Sequence, residues 1–282
     1  MKKKRVFTVI LAGCMVLSMA ACSKKAATET TAETTTAAPE TTTAAPETTE
    51  AAKTTFTVGF DQDFPPMGFV GDDGEYTGFD LELAAEVAKR LGLEFVPQPI
   101  AWDSKDMELN SGNIDCIWNG FTITGREDDY TWTTPYMEND QVFVVAGDSG
   151  IESWDDLAGK TIEVQADSSA EKALQDYPEL TASFGALQTT PDYNTAFMDL
   201  EMGSIDAIAM DVTVAGYQIG QRDADFVILE EPLAAEEYGV GFKLDNEELR
   251  DDVQGALEEM QADGTLKAVS EKWFGKDVTT IG

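Results

Sequence analysis

Histidine does not occur in these 282 residues, and basic residues are scarce, with 19 Lys and Arg against 53 Asp and Glu. The first absence removes the most common general base and the most common zinc ligand. The second excludes nucleic acid as a partner, because phosphate binding needs clustered Lys and Arg. A net charge of −34 describes instead a solvated, self-repelling surface that keeps a protein soluble. Acid clusters such as Asp72-Asp73, Glu127-Asp128-Asp129 and Asp251-Asp252 fit that surface, and none has the loop spacing of a calcium cage. Cysteine is scarce too. Cys14 and Cys22 sit near the N-terminus, so Cys116 has no partner for a disulfide in the folded part; its apolar surroundings predict an inert buried thiol. No phosphate loop, nucleophile–base pair or metal-ligand cluster appears, so no cofactor, metal or catalytic residue is expected.

The start of the chain reads as targeting. Lys2, Lys3, Lys4 and Arg5 precede an apolar stretch, Val6 to Ala21, too short and interrupted to span a membrane. It ends in Met19-Ala20-Ala21-Cys22, which resembles a bacterial lipoprotein signal whose cysteine is lipidated and becomes the mature N-terminus. Leu11-Ala12-Gly13-Cys14 matches that pattern more closely in letters, but cleavage there leaves an apolar stub, so Cys22 is the expected anchor of a signal over 1–22. The sequence then repeats Thr-Thr-Thr-Ala-Ala-Pro-Glu at 34–40 and 41–47. Without large apolar side chains, residues 23–54 cannot offset chain entropy and are expected to form a disordered tether. Its end-to-end distance is roughly 30 Å, and two or more acyl chains suffice to anchor it.

From Thr55 strand and helix patterns alternate, which implies an α/β fold with parallel sheets covered by helices. Strands are expected at Phe56–Phe60, Glu94–Val96, Ile114–Trp118, Gln141–Ala146, Thr161–Val164, Ala207–Met210 and Phe226–Leu229. Asp80 is expected to cap a helix with Leu81, Ala84, Val87, Ala88 and Leu91 inward, stopped by Gly92. Further helices are expected at 104–111, 170–177, 193–202 and 212–219. The pattern L-x-x-G-x-I-D-x-I occurs at 109–117 and again at 200–208, which describes a helix, a left-handed glycine and a buried strand used twice. The length suits two lobes of about 100 residues each.

Ligands on open parallel sheets bind beyond the carboxyl ends of the strands. Past the first copy of the repeat lie Asn119, Gly120, Thr122 and Arg126; past the second lies Asp211. One copy offers N–H groups, a hydroxyl and a guanidinium, the other a carboxylate: the complement of a zwitterion.

At these residues the chain resembles the polar amino acid binding proteins of ABC importers, the family-3 extracellular solute-binding proteins. The matching segments run in order from about Phe56 to Phe274. They include Val58-Gly59-Phe60-Asp61 with Phe64-Pro65-Pro66, Tyr76-Thr77-Gly78-Phe79-Asp80, Gly112-Asn113-Ile114-Asp115 and Gly120-Phe121-Thr122-Ile123-Thr124. Leu157-Ala158-Gly159-Lys160, Tyr238-Gly239-Val240-Gly241-Phe242 and Lys272-Trp273-Phe274-Gly275 continue the set. The resemblance implies a periplasmic-binding-protein-like type II fold, two lobes hinged by two crossover strands. Lobe 1 is expected over 55–138 and 239–282, lobe 2 over 139–238.

The resemblance also assigns roles. Arg126, two residues after Thr124 where the family has three, matches the residue that grips the ligand carboxylate, and a bidentate guanidinium suits that task. Thr122, Asn119 and Gly120 lie beside it. Asp211 matches the carboxylate that holds the ammonium, with Ser168 and Ser169 donating near a helix start. Phe64 and Trp102 match aromatic positions that sandwich the side chain; whether Trp118 and Met210 join them is open in the sequence. Asp61 and Gln165 match positions at the side chain's far end, favouring a polar or cationic ligand such as glutamine or arginine over glutamate. The implied role is capture of an amino acid outside the cytoplasm by a membrane-anchored monomer that serves an ABC permease. Alternatives are a cyclohexadienyl dehydratase-like enzyme and a sensor that signals to a membrane receptor.

Overall fold

The computed structural model describes residues 53–281. The proposed signal with Cys22 and the tether up to residue 52 lie outside the described residues. Lys53 and Thr54, assigned to the tether, belong to the fold: Lys53 pairs with the Asp115 carboxylate, and Thr54 O accepts from Glu94 N.

In chain order the first half contains β1 (Thr55–Phe60), β2 (Asp63–Phe64), β3 (Gly68–Val70), β4 (Tyr76–Thr77), α1 (Phe79–Leu91), β5 (Glu94–Pro99), α2 (Lys105–Ser111), β6 (Cys116–Thr122), β7 (Thr131–Trp132) and β8 (Met137–Ala146). There follow β9 (Thr161–Gln165), α3 (Ser169–Leu174), α4 (Pro178–Ser183), β10 (Ala186–Thr190), α5 (Tyr193–Glu201), β11 (Ala207–Asp211), α6 (Val212–Gly220), β12 (Phe226–Ile228), β13 (Ala234–Phe242), α7 (Glu247–Asp263) and α8 (Thr265–Phe274). Helices α4, α7 and α8 were not expected from the sequence; Pro178 at its first turn starts α4.

The main sheet runs β10-β9-β11-β8-β13-β6-β1-β5. Its outer pairs, β1 with β5 and β6, and β9 with β10 and β11, are parallel. The long central strands β8 and β13 pair antiparallel with each other over Ala234–Tyr238 and Met137–Gln141. Each then extends into one flank, β8 along β11 and β13 along β6. These are the two crossover strands.

Two expectations need correction. Asp80 does not cap α1: Gly78 stands at the N-cap, and Asp80 is wholly buried inside the first turn. The strand expected at Ile114–Trp118 lies at Cys116–Thr122, so Asn119, Gly120 and Thr122 are part of β6 rather than beyond it. The reason lies in its alternation. Cys116 and Trp118 face the largest core cluster with Phe56, Val58 and Phe79, while Ile117 and Phe121 face a second cluster with Leu109 and Tyr130. A strand covered on both faces has no polar residue to mark its end.

The repeated pattern has a physical meaning. Gly112 and Gly203 both adopt left-handed φ, 78° and 70°. The aspartate after each serves the neighbouring parallel strand: Asp115 Oδ2 accepts from Thr57 N at 2.7 Å, and Asp206 Oδ2 accepts from Thr161 N at 2.8 Å. Each carboxylate satisfies the N–H of a residue where a strand begins.

Candidate functional site

The site gathers at the carboxyl ends of β1, β6, β9 and β11 and on one face of the crossover strands. Register puts Glu236 opposite Asn139, Tyr238 opposite both Met137 and Thr122, and Gln141 opposite Asp211. Residues two apart on a strand share a face, so Glu236 and Tyr238 point the same way, as do Asn139 and Gln141.

Gly120 is the close-approach position. Its φ is 56°, and a Cβ there would lie 3.1 Å from both Phe64 Cε1 and Tyr238 Cε2. Its N–H donates to Asp80 Oδ2 at 2.6 Å, and the same oxygen accepts from Tyr136 OH at 2.9 Å. Burial pushes the Asp80 carboxyl up to about 7 despite those bonds.

Arg126 follows β6 through a turn in which its N–H donates to Ile123 O at 2.7 Å. The residue is 7% exposed; its guanidinium donates from Nη1 to Ser169 Oγ at 2.8 Å and to Thr122 O at 3.4 Å, and lies over the Phe121 ring at 5.4 Å. No carboxylate lies within 4.0 Å of it among the described residues. Ser168 caps α3 by accepting from Glu171 N, and is buried beside Tyr193. A cavity of about 690 Å³ opens here, lined by Arg126, Ser168, Lys105, Asp167, Tyr130 and Lys172.

Asp211 ends β11, is 4% exposed, and its Oδ1 accepts from Asn139 Nδ2 (3.0 Å), Gln141 Nε2 (2.8 Å) and Tyr238 OH (2.6 Å). Glu236 Oε1 draws on the same two amides, at 2.7 and 2.8 Å. Burial and then the Asp211 charge push Glu236 up to about 8, and burial raises Asp211 as well. Thr122 adjoins Glu236, and Phe64 stacks 6.1 Å from Tyr193. The Thr122 hydroxyl, the Tyr193 hydroxyl and Gln141 Oε1 are buried without a hydrogen-bond partner.

The other end of the cleft is acidic. Asp61, just past β1, accepts from Gln165 Nε2 at 2.6 Å, and burial raises its carboxyl to about 6. A second cavity of about 530 Å³ there is lined by Asp61, Asp63, Trp102, Asp103 and Asp192, among others, and by no Lys or Arg. Trp102 packs edge-on against Phe121 at 5.5 Å.

Some residues singled out in the sequence serve the site indirectly. Asn119 Oδ1 accepts from Asp61 N at 2.9 Å and so holds Asp61, while its Nδ2 is buried without a hydrogen-bond partner. Trp118 and Met210 are wholly buried in the largest core cluster. Glu236, Asn139, Gln141, Tyr193, Tyr238 and Lys105 escaped the sequence reading as site residues. Glu236 carried a signal: it alternates with Tyr238, itself within a recognised motif, and hence shares its face. Lys105 carried none, since an isolated lysine at a helix start reads as surface.

Two groups of helices and strands meeting at antiparallel crossover strands, with polar groups from both at the strand ends, define the two-lobe type II binding fold. A family model confirms this: the chain belongs to the bacterial extracellular solute-binding proteins, family 3, matched over residues 56–276. It is 38% identical over 228 residues to the L-cystine-binding protein TcyJ of Escherichia coli K12, covering 80% of this chain and 84% of that protein. Among solved structures, an ABC uptake transporter substrate-binding protein from Streptococcus pneumoniae with bound histidine superposes with a TM-score of 0.77 at 36% identity, covering 80% and 94% of the two chains. An ancestral amino-acid-binding protein, a precursor of cyclohexadienyl dehydratase, superposes with a TM-score of 0.70 at 30% identity, covering 78% and 95%.

Proposed function

We propose that this chain captures an L-amino acid and delivers it to an ABC permease. The ligand carboxylate pairs with Arg126 and accepts from Ser168 or Ser169; its ammonium sits against Asp211; Phe64 and Trp102 flank its side chain, which ends near Asp61 and Gln165. Lobe 1 comprises 55–138 and 239–282, lobe 2 139–238, and lipid on Cys22 keeps the monomer at the outer face of the membrane. The carrying observation is the buried Arg126, whose guanidinium donates to Ser169 Oγ and Thr122 O and has no carboxylate partner among the described residues. A buried cation left unpaired costs several kcal/mol, on the order of the desolvation penalty per ion, and an incoming carboxylate removes that cost.

The acidic far cavity supports a polar or cationic side chain, as in glutamine or arginine. L-Cystine belongs in the same test, because its second ammonium suits Asp61 and because the chain is similar to a cystine-binding protein. Calorimetry with the twenty amino acids and cystine is expected to find a ligand of about micromolar affinity, near −8 kcal/mol. Finding none tighter than about 1 mM would sink the reading.

A second reading draws on the Asp211–Glu236 pair, since two buried acids with raised proton affinity are what acid catalysis needs without histidine. One solved structure similar to the chain, itself an amino-acid-binding protein, is a precursor of cyclohexadienyl dehydratase. Turnover of prephenate or arogenate by the purified protein would establish it; unchanged substrate removes it.

A further inference from the structure

The two acids at the hinge lack hydrogens rather than acceptors. Asn139 Nδ2 carries two hydrogens but lies within bonding distance of three oxygens: Asp140 O (3.1 Å), Asp211 Oδ1 (3.0 Å) and Glu236 Oε1 (2.7 Å). Gln141 Nε2 commits both of its hydrogens to the same two carboxyl groups. Both carboxyl groups thus converge on the same two amide nitrogens, Asn139 Nδ2 and Gln141 Nε2, which sets the two acids side by side. No Lys or Arg lies within 4.0 Å of either acid among the described residues.

The surroundings supply no other charge to balance them. Tyr238 comes from β13, Thr122 from β6 and Tyr193 from α5, while Thr213 on α6 donates to Asn139 Oδ1. The charged neighbours lining the adjoining cavity, Glu138, Asp140 and Glu237, are all acids. Beside the pair, Gln141 Oε1 is buried without a hydrogen-bond partner, and the Thr122 hydroxyl, 1% exposed, has only the Glu236 carboxyl beside it. Unpartnered buried oxygens next to two acids are what a group rich in N–H donors satisfies.

We propose that Asp211 and Glu236 hold one proton between them in the free protein, and that the ligand's ammonium takes that proton's place, releasing it to solvent. The inference rests on the amino-acid reading above and adds Glu236 to the ammonium subsite. The charges balance. The pair with its proton carries −1; two ionised carboxylates with an ammonium also carry −1, so the cleft's net charge at this end does not change. Two like charges this close favour keeping one proton, and an adjacent cation lowers their hold on it.

The consequence is binding coupled to proton release. Titration calorimetry with L-cystine, L-arginine and L-glutamine in phosphate and in Tris at pH 7 reads the released protons from the difference in heat between buffers. A net release is expected for each probe that binds, shrinking above the Glu236 titration near 8. Affinity should weaken as the pH falls below that point, by up to about tenfold per pH unit for a whole proton. Glu236→Gln keeps the acceptor and removes the titration, so its binding should lose both the release and this pH dependence. Equal heats in both buffers for a probe that binds, or a release that survives Glu236→Gln, overturn the inference. Asp211→Asn separates it from the reading beneath it: unchanged affinity in that variant removes Asp211 from the ammonium site altogether, whereas lost affinity with no proton released in the wild type removes only the shared proton.

Discussion

Gln165 Nε2 lies 2.6 Å from Asp61 Oδ2, so one hydrogen bond joins the carboxyl end of β9 to that of β1, from opposite flanks of the sheet. Both side chains are buried, and Gln165 also donates to Pro191 O at 2.9 Å. A bond to a charged group contributes about 1.5–3 kcal/mol when it forms away from water. Since it exists only while the lobes are together, Gln165→Ala should weaken ligand affinity by roughly tenfold to a hundredfold. Calorimetry on the variant checks this, and equal affinity would show that the bond plays no part in holding the cleft shut.

Buried acids also set the pH profile of stability. Asp80 rises from 3.8 to about 7 and Asp61 from 3.8 to about 6, in both cases through burial first. A carboxyl raised in the folded state binds protons there before it does in the unfolded chain, so stability falls as pH rises from about 4 through these values and is lower at pH 8.5 than at pH 5.5. Thermal unfolding followed by circular dichroism should show the higher Tm at the lower pH. Self-repulsion of a strongly acidic chain acts in the same direction, so the comparison is with Asp80→Asn, which retains an acceptor for Gly120 N and should flatten the profile. An Asp80→Asn profile as steep as the wild type's would place the effect elsewhere.

Asp80 also shows what was legible in the sequence. Strand and helix order, the left-handed glycines at the repeats and the family motifs all depend on local pattern, and the structure places them within a few residues of expectation. Arg126, Asp61 and Phe64 could be proposed as site residues because a motif contains or leads to each, Asp211 because it follows the second repeat, and Gln165 from the resemblance alone. What the sequence could not supply was pairing across the fold. Asp80 next to a helix start reads as a cap, yet its partners are Gly120, 40 residues on, and Tyr136, 56 residues on. Glu236 reads as one of two surface acids until β8 places Asn139 beside it. Partners brought together by tertiary packing leave no local signature.

At Gly120 the backbone and the cleft make the same demand. With φ at 56°, any other L-residue pays about 1–2 kcal/mol for the left-handed conformation. An added methyl would also press on the Phe64 and Tyr238 rings, tighter than ordinary contact. Gly120→Ala should therefore lower Tm by several degrees, on the order of 2–4 °C per kcal/mol for a domain of this size. It should also weaken the ligand, because Tyr238 holds Asp211 through its hydroxyl and Phe64 packs beside Tyr193. Differential scanning calorimetry with and without ligand reads both effects, and an unchanged Tm would mean that the end of β6 relaxes to accept the methyl.

Lys105 is the last residue whose role follows from its surroundings rather than its type. It opens α2, its side chain is 2% exposed, and Nζ lies 5.2 Å from the Trp102 ring centroid. Across the cleft, Nζ donates to Asp167 O at 3.2 Å and pairs with the Asp167 carboxylate; Asp167 holds a left-handed φ of 58° just before α3. Burial lowers the lysine's proton affinity, and Asp167 opposes that shift. The contact joins the two lobes but neither core, so its loss should change closure more than folding. Asp167 is half exposed and partly screened by solvent, which puts the effect near the low end of coupling energies, about fivefold in affinity for Lys105→Met. The ligand-free Tm should move by no more than about 2 °C, as for surface changes of about 0.5 kcal/mol. A large drop in Tm with unchanged affinity would assign the pair to the fold instead of the closed cleft.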